Sequence, residues 1–428
     1  MARTSRVVAR WRRIVAVYVA VQFAEIFGVS MIYSYLPLAL EGAGVPIGEI
    51  GSLAAIATAG LFVVGAPQVP IWLAIAELRS RRLVIVRSGL IALAALVAFA
   101  LAREAWQIVG ATVALGFWLG NSGVMLATIR EVAPPSARQR SIALFSAAAP
   151  MGFAAGPLLA ALCIEGLGLP LAAPILVAAA MNCALIVANL VAIPDVPPKV
   201  RPSGSVLTVA LRGIRGIFAD RIARGAYLVL AMVIAGERML RPFLPLRIAE
   251  IAIGPTVAGI AEPLASPGIA GAVGLLTGLT ALAGAIVSPL VATLLFPHLG
   301  YRRTATLTFL AGGAAALSIG FASSLPLLAV GVMVIAAVSA LVQTAVYSYL
   351  AEEVRESRRT AALSLALFPL YAGNVVGLVV ASVGVQLGAP GGGDLLGIRS
   401  AFMIGAVTLL VGSFAARALR GRTRAASR

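Results

Sequence analysis

Long apolar segments, separated by short loops that carry most of the charge, make up nearly the whole sequence. A helix of about 20 apolar residues spans the hydrocarbon core of a bilayer. Hydrophobic residues account for 61% of the chain and charged residues for 11%, and the mean hydropathy is +1.01. A soluble domain could not bury this much apolar surface, so the chain is predicted to be an all-α, multi-pass membrane protein.

Twelve apolar segments can be counted, six on each side of a polar central loop. They cover residues 14–40, 47–76, 83–102, 105–129, 141–165 and 169–193, followed by 224–248, 268–296, 304–322, 325–350, 360–387 and 398–416. The central loop opens with a run rich in proline, which is typical of a linker. We therefore predict an N-terminal six-helix bundle (1–193), a cytoplasmic linker (194–223) and a C-terminal six-helix bundle (224–428).

The second part of this linker has the pattern of an amphipathic helix. Apolar and basic side chains fall on different helical faces: Leu207, Leu211, Ile214 and Phe218 on one, Arg212 and Arg215 on the other. Such a helix lies in the membrane interface. The alternative is that these residues simply begin the seventh segment.

The basic residues predict the orientation of the chain. One set of loops, together with both termini, is rich in arginine: Arg79, Arg81, Arg82, Arg87, Arg130, Arg138, Arg140, Arg302, Arg303, Arg355, Arg358 and Arg359. The positive-inside rule places these loops and both termini in the cytoplasm, and an even number of segments agrees. Because the net charge of +17 is distributed in this way, we predict contact with the bilayer and no nucleic-acid partner.

The two halves of the sequence resemble each other. A shift of 208 positions lays Gly28 on Gly236 and Met31 on Met239, and it lays the Leu-Pro-Leu at 36–38 on the Leu-Pro-Leu at 244–246. This internal repeat predicts two similar bundles that each open with an equivalent helix.

The seventh segment carries Glu237, Arg238 and Arg241 inside an otherwise apolar run. An arginine at the centre of a membrane helix costs about 2.5–3.5 kcal/mol on an insertion scale, so such charges usually face a protein interior or a watery cavity. The sum of these three charges is positive, which favours a site for an anionic or zwitterionic substrate. A structural clamp between Glu237 and Arg241 is the alternative.

Further polar residues within the apolar segments are candidates for the transport pathway. Glu25, near Gln22 in the first segment, is the candidate proton carrier, because a carboxyl group in an apolar site favours its neutral form. The other candidates are Gln22, Asn121, Gln343, Tyr347 and Asn374. Buried amides also commonly make structural bonds between helices, so that alternative stays open for them.

Twelve segments in two halves with a basic central loop resemble the major facilitator superfamily of secondary transporters. That family carries a motif of glycines, an acid and basic residues between helices 2 and 3; here Glu77, Arg81 and Arg82 occupy the charged positions. Arg302 and Arg303 occupy the equivalent positions in the second half. The resemblance implies that these residues form a conformational gate. Leu73 and Ser80 replace glycines, and Pro297 replaces the second acid.

The fifth segment contains Gly152, Gly156 and Pro157, which resemble the helix 5 motif of the family's proton-coupled exporters. Small residues four apart also allow close helix contact in any membrane protein. The fourth segment lacks the membrane arginine of many such exporters and offers Asn121 instead. On this resemblance, Glu25 would take over proton coupling.

Patterns for other chemistry are missing from the sequence. There is no P-loop motif, His298 is the only histidine, and Cys163 and Cys183 do not have metal or redox spacing. We therefore predict no enzyme activity, no cofactor and no metal site.

The function predicted first is proton-coupled export of a small solute by alternating access, by a monomer in a bacterial inner membrane. A second hypothesis is an uptake carrier for an anion or a metal (iron) complex, possible also in an internal membrane such as that of the magnetosome. A third is a membrane scaffold that transports nothing. The sequence does not choose between export and uptake.

Overall fold

The structure is a computed structural model, and it describes residues 2–196, 203–211, 221–254, 262–354, 367–388 and 396–419. All regular structure within these ranges is helical, so the prediction of an all-α fold is confirmed. Several residues of the predicted interface helix, including Arg212, Arg215 and Phe218, lie outside the described ranges. Only its start, at 206–211, is described, and this stretch is helical.

The first half of the chain forms eight helices. They are α1 (Ala2–Gly42), α2 (Ile47–Gly65), α3 (Val69–Leu78), α4 (Arg81–Leu101), α5 (Ala105–Ala114), α6 (Asn121–Val132), α7 (Pro135–Ala161) and α8 (Ala172–Ala192). Short 3-10 turns at Ala66–Gln68 and Leu115–Trp118 separate α2 from α3 and α5 from α6. Each of these pairs therefore makes up one predicted segment, broken near its middle.

The second half forms six described helices. They are α9 (Arg221–Leu240), α10 (Leu244–Ile253), α11 (Ile269–Gly320), α12 (Leu325–Glu353), α13 (Leu367–Gly388) and α14 (Leu396–Arg417). A 3-10 turn at Arg241–Phe243 breaks the seventh predicted segment between α9 and α10, and Pro242 lies in this turn. The eighth and ninth predicted segments form two helical stretches, labelled together as α11, which meet at a kink at Gly300, where φ is 68°.

Ten stretches in the described ranges are long and apolar enough to cross a membrane. The two predicted segments that are not among them are the seventh and the ninth. The seventh is broken at its 3-10 turn and carries Arg224, Glu237 and Arg238 in α9. The ninth lies within α11, after Gly300. Both segments are nevertheless helical, so the helices follow the predicted order.

The helices group into two compact units. Unit 1 contains Met1–Val45, Gly60–Leu211 and Ala265–Ala281, and unit 2 contains Pro46–Ala59, Arg212–Leu264 and Leu282–Arg428. The first part of α2 therefore groups with unit 2, and the first part of α11 groups with unit 1. The bundle boundaries drawn from the sequence remain a prediction.

A hydrophobic core in unit 1 holds α1 against its neighbours. Ile14 and Tyr18 of α1 are buried with Ile85 of α4, Met125 of α6 and Phe145 of α7. Packing of this kind fixes the rotation of α1 about its axis. As a result, Gln22 and Glu25, one and two turns further along α1, also face the interior of unit 1.

Glycines bring helix pairs into close contact in both units. In unit 1 a Cβ at Gly152 of α7 would lie 2.6 Å from the Phe23 carbonyl oxygen of α1. In unit 2 a Cβ at Gly373 of α13 would lie 2.5 Å from the Ala231 carbonyl oxygen of α9. The backbones can approach this closely only because these positions lack a side chain.

Candidate functional site

Glu25 and Asn121 form a buried polar pair at the centre of unit 1. Glu25 of α1 is 1% exposed, and both its carboxylate oxygens accept from Asn121 Nδ2, at 2.8 and 2.7 Å. Asn121 is the first residue of α6, directly after Gly120, whose φ of 111° is open to glycine. The turn at Gly120 thus presents Asn121 to α1. The structure brings together two residues that the sequence predicted separately.

Gln22 lies on the same face of α1 as Glu25, three residues earlier, and it is 4% exposed. Its Oε1 atom has no hydrogen-bond partner among the residues that the structure describes. A buried amide oxygen without a partner costs free energy. Gln22 therefore holds an unused hydrogen-bond acceptor one turn before Glu25 on α1.

Arg87 is a membrane arginine that the sequence analysis counted among the loop residues. It lies inside α4, with its guanidinium carbon 3.9 Å from the centre of the Trp72 ring, and it donates to the Leu119 carbonyl at 3.2 Å. A cation over an indole ring is favourable, and more so away from water. Arg87 and Glu25 also interact electrostatically. The fourth predicted segment contains no arginine, but the third predicted segment contains Arg87.

Sequence reasoning could have found Arg87 from its position. It follows the apolar run Leu83–Val86 and precedes fourteen more residues of α4, so it lies well inside a predicted segment. The assignment to a loop relied on its closeness in sequence to Arg81 and Arg82. A helical rise of about 1.5 Å per residue puts Arg87 about 9 Å deeper than Arg81.

Glu237 is the centre of a second polar cluster, in unit 2. Its Oε1 accepts from Arg241 Nε at 2.9 Å, and its Oε2 accepts from Ser339 Oγ of α12 at 2.6 Å. Gln343 Nε2 in turn donates to Ser339 Oγ at 3.2 Å. Glu237 and Arg241 thus form the ion pair that the clamp alternative requires, and Gln343 joins it through Ser339, a residue that was not selected from the sequence. The role of the cluster as a substrate site stays a prediction.

The cluster is unevenly exposed. The Glu237 side chain is 8% exposed, whereas that of Arg241 is 33% exposed. Arg238, on the same helix, adds to the positive field around Glu237. One buried carboxylate between two guanidinium groups leaves a positive sum, and the exposed part of Arg241 makes some of that charge accessible.

Tyr347 and Asn374 are the remaining candidates for the transport pathway in the second half of the chain. Tyr347 follows Gln343 by one turn on α12. Asn374 is 5% exposed; its Nδ2 donates to the Leu370 carbonyl of its own helix at 2.8 Å, and its Oδ1 is unpaired within the described part of the chain. Asn374 directly follows Gly373, which lies at the close contact between α9 and α13. A structural role of the Asn374 amide at this contact is enough to explain its presence there.

The residues of the loop motif form a tight ion-pair cluster in unit 1. Arg81 is 1% exposed; its guanidinium donates to both oxygens of Glu131, at 2.9 and 3.0 Å, and to Glu77 at 3.2 Å. This is the bidentate geometry that makes arginine–carboxylate pairs strong. The motif thus ties the end of α3 and the start of α4 to the end of α6. Glu131 was not predicted.

The other predicted gate residues are more exposed. The Arg82 amide donates to Asp195 at 3.2 Å, beyond the end of α8. Arg302 donates to the Arg417 carbonyl at 2.6 Å, and Arg303 is exposed. In the second half, therefore, the motif links α11 to the end of α14 through a carbonyl group, which fits the replacement of its acid by Pro297.

Unit 2 holds a further buried charge cluster. Arg247 is 3% exposed within α10; it donates to the Ile319 carbonyl at 3.3 Å and pairs with Glu250. Glu250 also accepts from Arg399 of α14 at 2.8 Å. None of these three residues was among the site residues selected from the sequence. Carbonyl groups at the end of α11 stabilise the positive charge here.

The sequence and the fold were compared with known proteins. A sequence profile described as Major Facilitator Superfamily matches residues 18–250, which is more than half of the chain. No curated protein matches the sequence significantly.

Solved structures with the same fold are transporters of several kinds. The crystal structure of a point mutant of the nucleoside transporter NupG is 14% identical with a TM-score of 0.75, covering 94% of this chain and 99% of its own. The human organic anion transporter MFSD10 is 18% identical with a TM-score of 0.67, covering 95% and 99%.

A bacterial homologue of the human lysosomal transporter Spinster is 14% identical with a TM-score of 0.72, covering 95% of this chain and 96% of its own. At these identities the likeness concerns the fold. Together with the profile match and the helical architecture, it identifies this multi-pass membrane protein: the chain belongs to the major facilitator superfamily, a family of membrane transporters.

Proposed function

We propose that this transporter exports a small anionic or zwitterionic solute from a bacterial cytoplasm in exchange for protons. Glu25 carries the proton, and the Glu237 cluster binds the solute. Each unit then holds one of the two sites. Transport proceeds by alternating access, in which a site is open to one side of the membrane at a time.

The observation that carries this proposal is the difference between the partners of the two buried carboxyl groups. Glu25 is bonded to a neutral amide, Asn121, whereas Glu237 is paired with a guanidinium group, Arg241. A guanidinium partner at hydrogen-bond distance holds a carboxylate in its charged form. An amide partner does so far less, so Glu25 is the group suited to gain and lose a proton during the cycle.

The Glu237 cluster has the composition of an anion site. Arg241 pairs with Glu237 and its side chain is 33% exposed, and a guanidinium group is the side chain best suited to bind a carboxylate or phosphate of a solute. Gln343 adds an amide that can bond either a donor or an acceptor. A zwitterion would place its anionic group near Arg241 and its cationic group toward Glu237.

Proton exchange gives the cycle its direction. Release of a proton from Glu25 leaves a charge in an apolar environment, which is costly, and Arg87 is the charged group that compensates it. The ion pairs of Arg81 with Glu77 and Glu131 would break or form as the cytoplasmic ends of α4 and α6 move. In this proposal the gate residues take part in the conformational change and do not contact the solute.

The test uses purified protein in proteoliposomes that enclose the pH dye pyranine. A panel of small organic anions, zwitterions and neutral sugars is added under an imposed pH gradient, and solute uptake is followed by mass spectrometry. Export coupling predicts that anions or zwitterions exchange with protons and that the sugars do not. Solute movement in the same direction as protons would indicate the uptake carrier instead, and no movement with any member of a broad panel would favour the scaffold.

A further inference from the structure

A small cavity in unit 1 lies between α1, α4 and α8. It is lined by Val21 and Glu25 of α1, by Ile85, Val86 and Gly89 of α4, and by Asn182, Leu185, Ile186 and Asn189 of α8. Three polar residues therefore line an otherwise apolar space. This cavity is separate from the Asn121 contact, which reaches Glu25 from α6.

Asn189 is the unusual member of this lining. It is 1% exposed, and within the described part of the chain neither its Nδ2 nor its Oδ1 has a hydrogen-bond partner. A buried amide with two unmade bonds is costly. The missing partner must both accept from Nδ2 and donate to Oδ1, and a water molecule does both.

The size of the cavity fits that ligand. The space available to a water-sized molecule is about 10 Å³, which is room for about one water, and a buried water needs two to four polar partners. Asn189 supplies two of these partners, and Asn182 and Glu25 line the same space further along the helix axis.

The cavity extends along the helix axis. Asn182 and Asn189 are two turns apart on α8, a separation of about 10 Å. Asn182 is level with Glu25, because its Nδ2 donates to the Ala24 carbonyl at 3.3 Å. Asn189 lies one turn from the end of α8, the end that the arginine distribution predicts to be cytoplasmic. The polar lining thus leads from Glu25 toward the cytoplasmic end of unit 1.

We propose that this cavity is a hydration site through which protons reach and leave Glu25 from the cytoplasmic side, within unit 1. A hydronium ion gives its proton to the Glu25 carboxylate, forming the carboxylic acid and water, and the reverse step releases it. Arg87 of α4 is the charged neighbour of Glu25, while Asn121 and Asn182 are its neutral ones. The inference rests on the proposed role of Glu25 and adds a proton route distinct from the solute site.

Isotope exchange at the Glu25 carboxyl group tests the route. The full chain is reconstituted in lipid, and the infrared C=O band of the protonated carboxyl, identified by its loss in Glu25→Gln, is followed after a switch to D2O. Asn189→Leu removes the polar partners of the water, and Gly89→Ala places a methyl group 2.8 Å from Ile186 Cγ1 at the cavity wall. Gly110→Ala is the matched control, because its methyl group would meet no atom within 4 Å.

We expect exchange to slow at least ten-fold in Asn189→Leu and in Gly89→Ala, with the band intensity retained, and to stay at the wild-type rate in Gly110→Ala. Wild-type exchange in Gly89→Ala and in folded Asn189→Leu would overturn the route. If Asn189→Leu does not fold, Gly89→Ala alone decides. Normal proton-driven transport by Glu25→Gln would instead refute the proposed function, while the exchange rates would still report on the cavity.

Discussion

Two buried carboxyl groups in membrane helices lie in different chemical environments, because their neighbouring side chains differ. Glu25 bonds to an amide, lies near an arginine that is held over an indole ring, and lines a small, mostly apolar cavity. Glu237 has a guanidinium group on one oxygen and a hydroxyl group on the other. The sequence identifies both acids, but the partner of Glu25 is 96 positions away. Only the folded chain reveals that Glu25 has an amide partner and Arg87 as a neighbour.

Replacing Glu25 by glutamine tests its role at the residue scale. Glu25→Gln keeps the size and one carbonyl acceptor for Asn121 but removes the titratable proton. We expect proton-driven flux to fall at least ten-fold, while the melting temperature in detergent changes little. The matched control is Glu49→Gln, since Glu49 is an exposed acid in the first turn of α2. A mutant at position 25 that transports normally from pH 5 to 8 would make Glu25 a structural residue.

The Glu237 cluster can be tested as a clamp or as a binding site. Removing one member of a buried ion pair costs about 3–5 kcal/mol, but the exposure of Arg241 lowers that cost through solvent screening. A solute site predicts that Arg241→Ala and Arg238→Ala raise the half-saturating solute concentration at least ten-fold with a modest loss of stability. Adding Glu237→Ala should not restore transport.

Flux and thermal unfolding are measured together for this series, with Arg224→Ala as control, because Arg224 is an exposed arginine of the same helix. A clamp predicts the opposite pattern. In that case Arg241→Ala would lose stability, and the double variant with Glu237→Ala would recover both stability and flux.

At the scale of helices, pairs of glycines allow α1 and α9 to pack closely against a neighbouring helix. Gly152 and Gly156 of α7 face α1, and Gly373 and Gly377 of α13 face α9 in the same manner. The sequence analysis selected the first pair through its resemblance to the exporter motif. The second pair has the same four-residue spacing, but it lies 221 positions after the first, so the 208-position shift of the internal repeat does not lead to it. In both units the contact is made by the helix that carries the central carboxyl group.

Adding one methyl group to either contact should destabilise the fold. At Gly152 the new Cβ would lie 2.6 Å from a backbone oxygen, and at Gly373 it would lie 2.5 Å from one, so the helices must move apart. Overpacking of this kind typically costs about 1–3 kcal/mol. We expect Gly152→Ala and Gly373→Ala to lower the melting temperature in detergent and Gly110→Ala to leave it unchanged. Equal melting temperatures for all three would mean that these contacts are not tightly packed.

Helix existence and order followed from hydropathy, because apolar length is a strong signal in a membrane chain. Helix interruptions were harder to predict. The turn at Ala66–Gln68 contains Pro67, and the turn at Arg241–Phe243 contains Pro242, yet proline alone does not mark a break, since Pro37 lies inside the continuous α1. Packing against neighbouring helices decides whether the chain bends or breaks.

For the whole molecule, charge distribution is the main constraint on topology. The formal charge of +17 is concentrated at both termini and in alternate loops, and in unit 1 the buried Arg81 pairs with Glu77 and Glu131 at the same predicted side. The distribution of such arginines along the sequence predicts the topology. The structure shows that some of them, Arg81 above all, also have buried ion-pair partners. These arginines therefore stabilise the packing of the helices as well.

Reporter fusions test this topology directly. If the arginine-rich loops face the cytoplasm, a reporter active only in the cytoplasm should be active when fused at the C-terminus and inactive when fused after Gly42, at the end of α1. A reporter active only outside the cytoplasm should give the reverse pattern at both positions. The paired reporters control for fusions that do not fold, because each position must be active with one of the two.

A cytoplasmic signal after Gly42 would contradict the predicted orientation, and it would also reverse the proton route. The cavity beside Glu25 leads toward Asn189 at the end of α8, and that end is cytoplasmic only if the first membrane crossing runs outward. In the reverse orientation the same cavity would admit protons from outside the cell, so that the one measurement fixes both the topology and the side from which Glu25 is protonated.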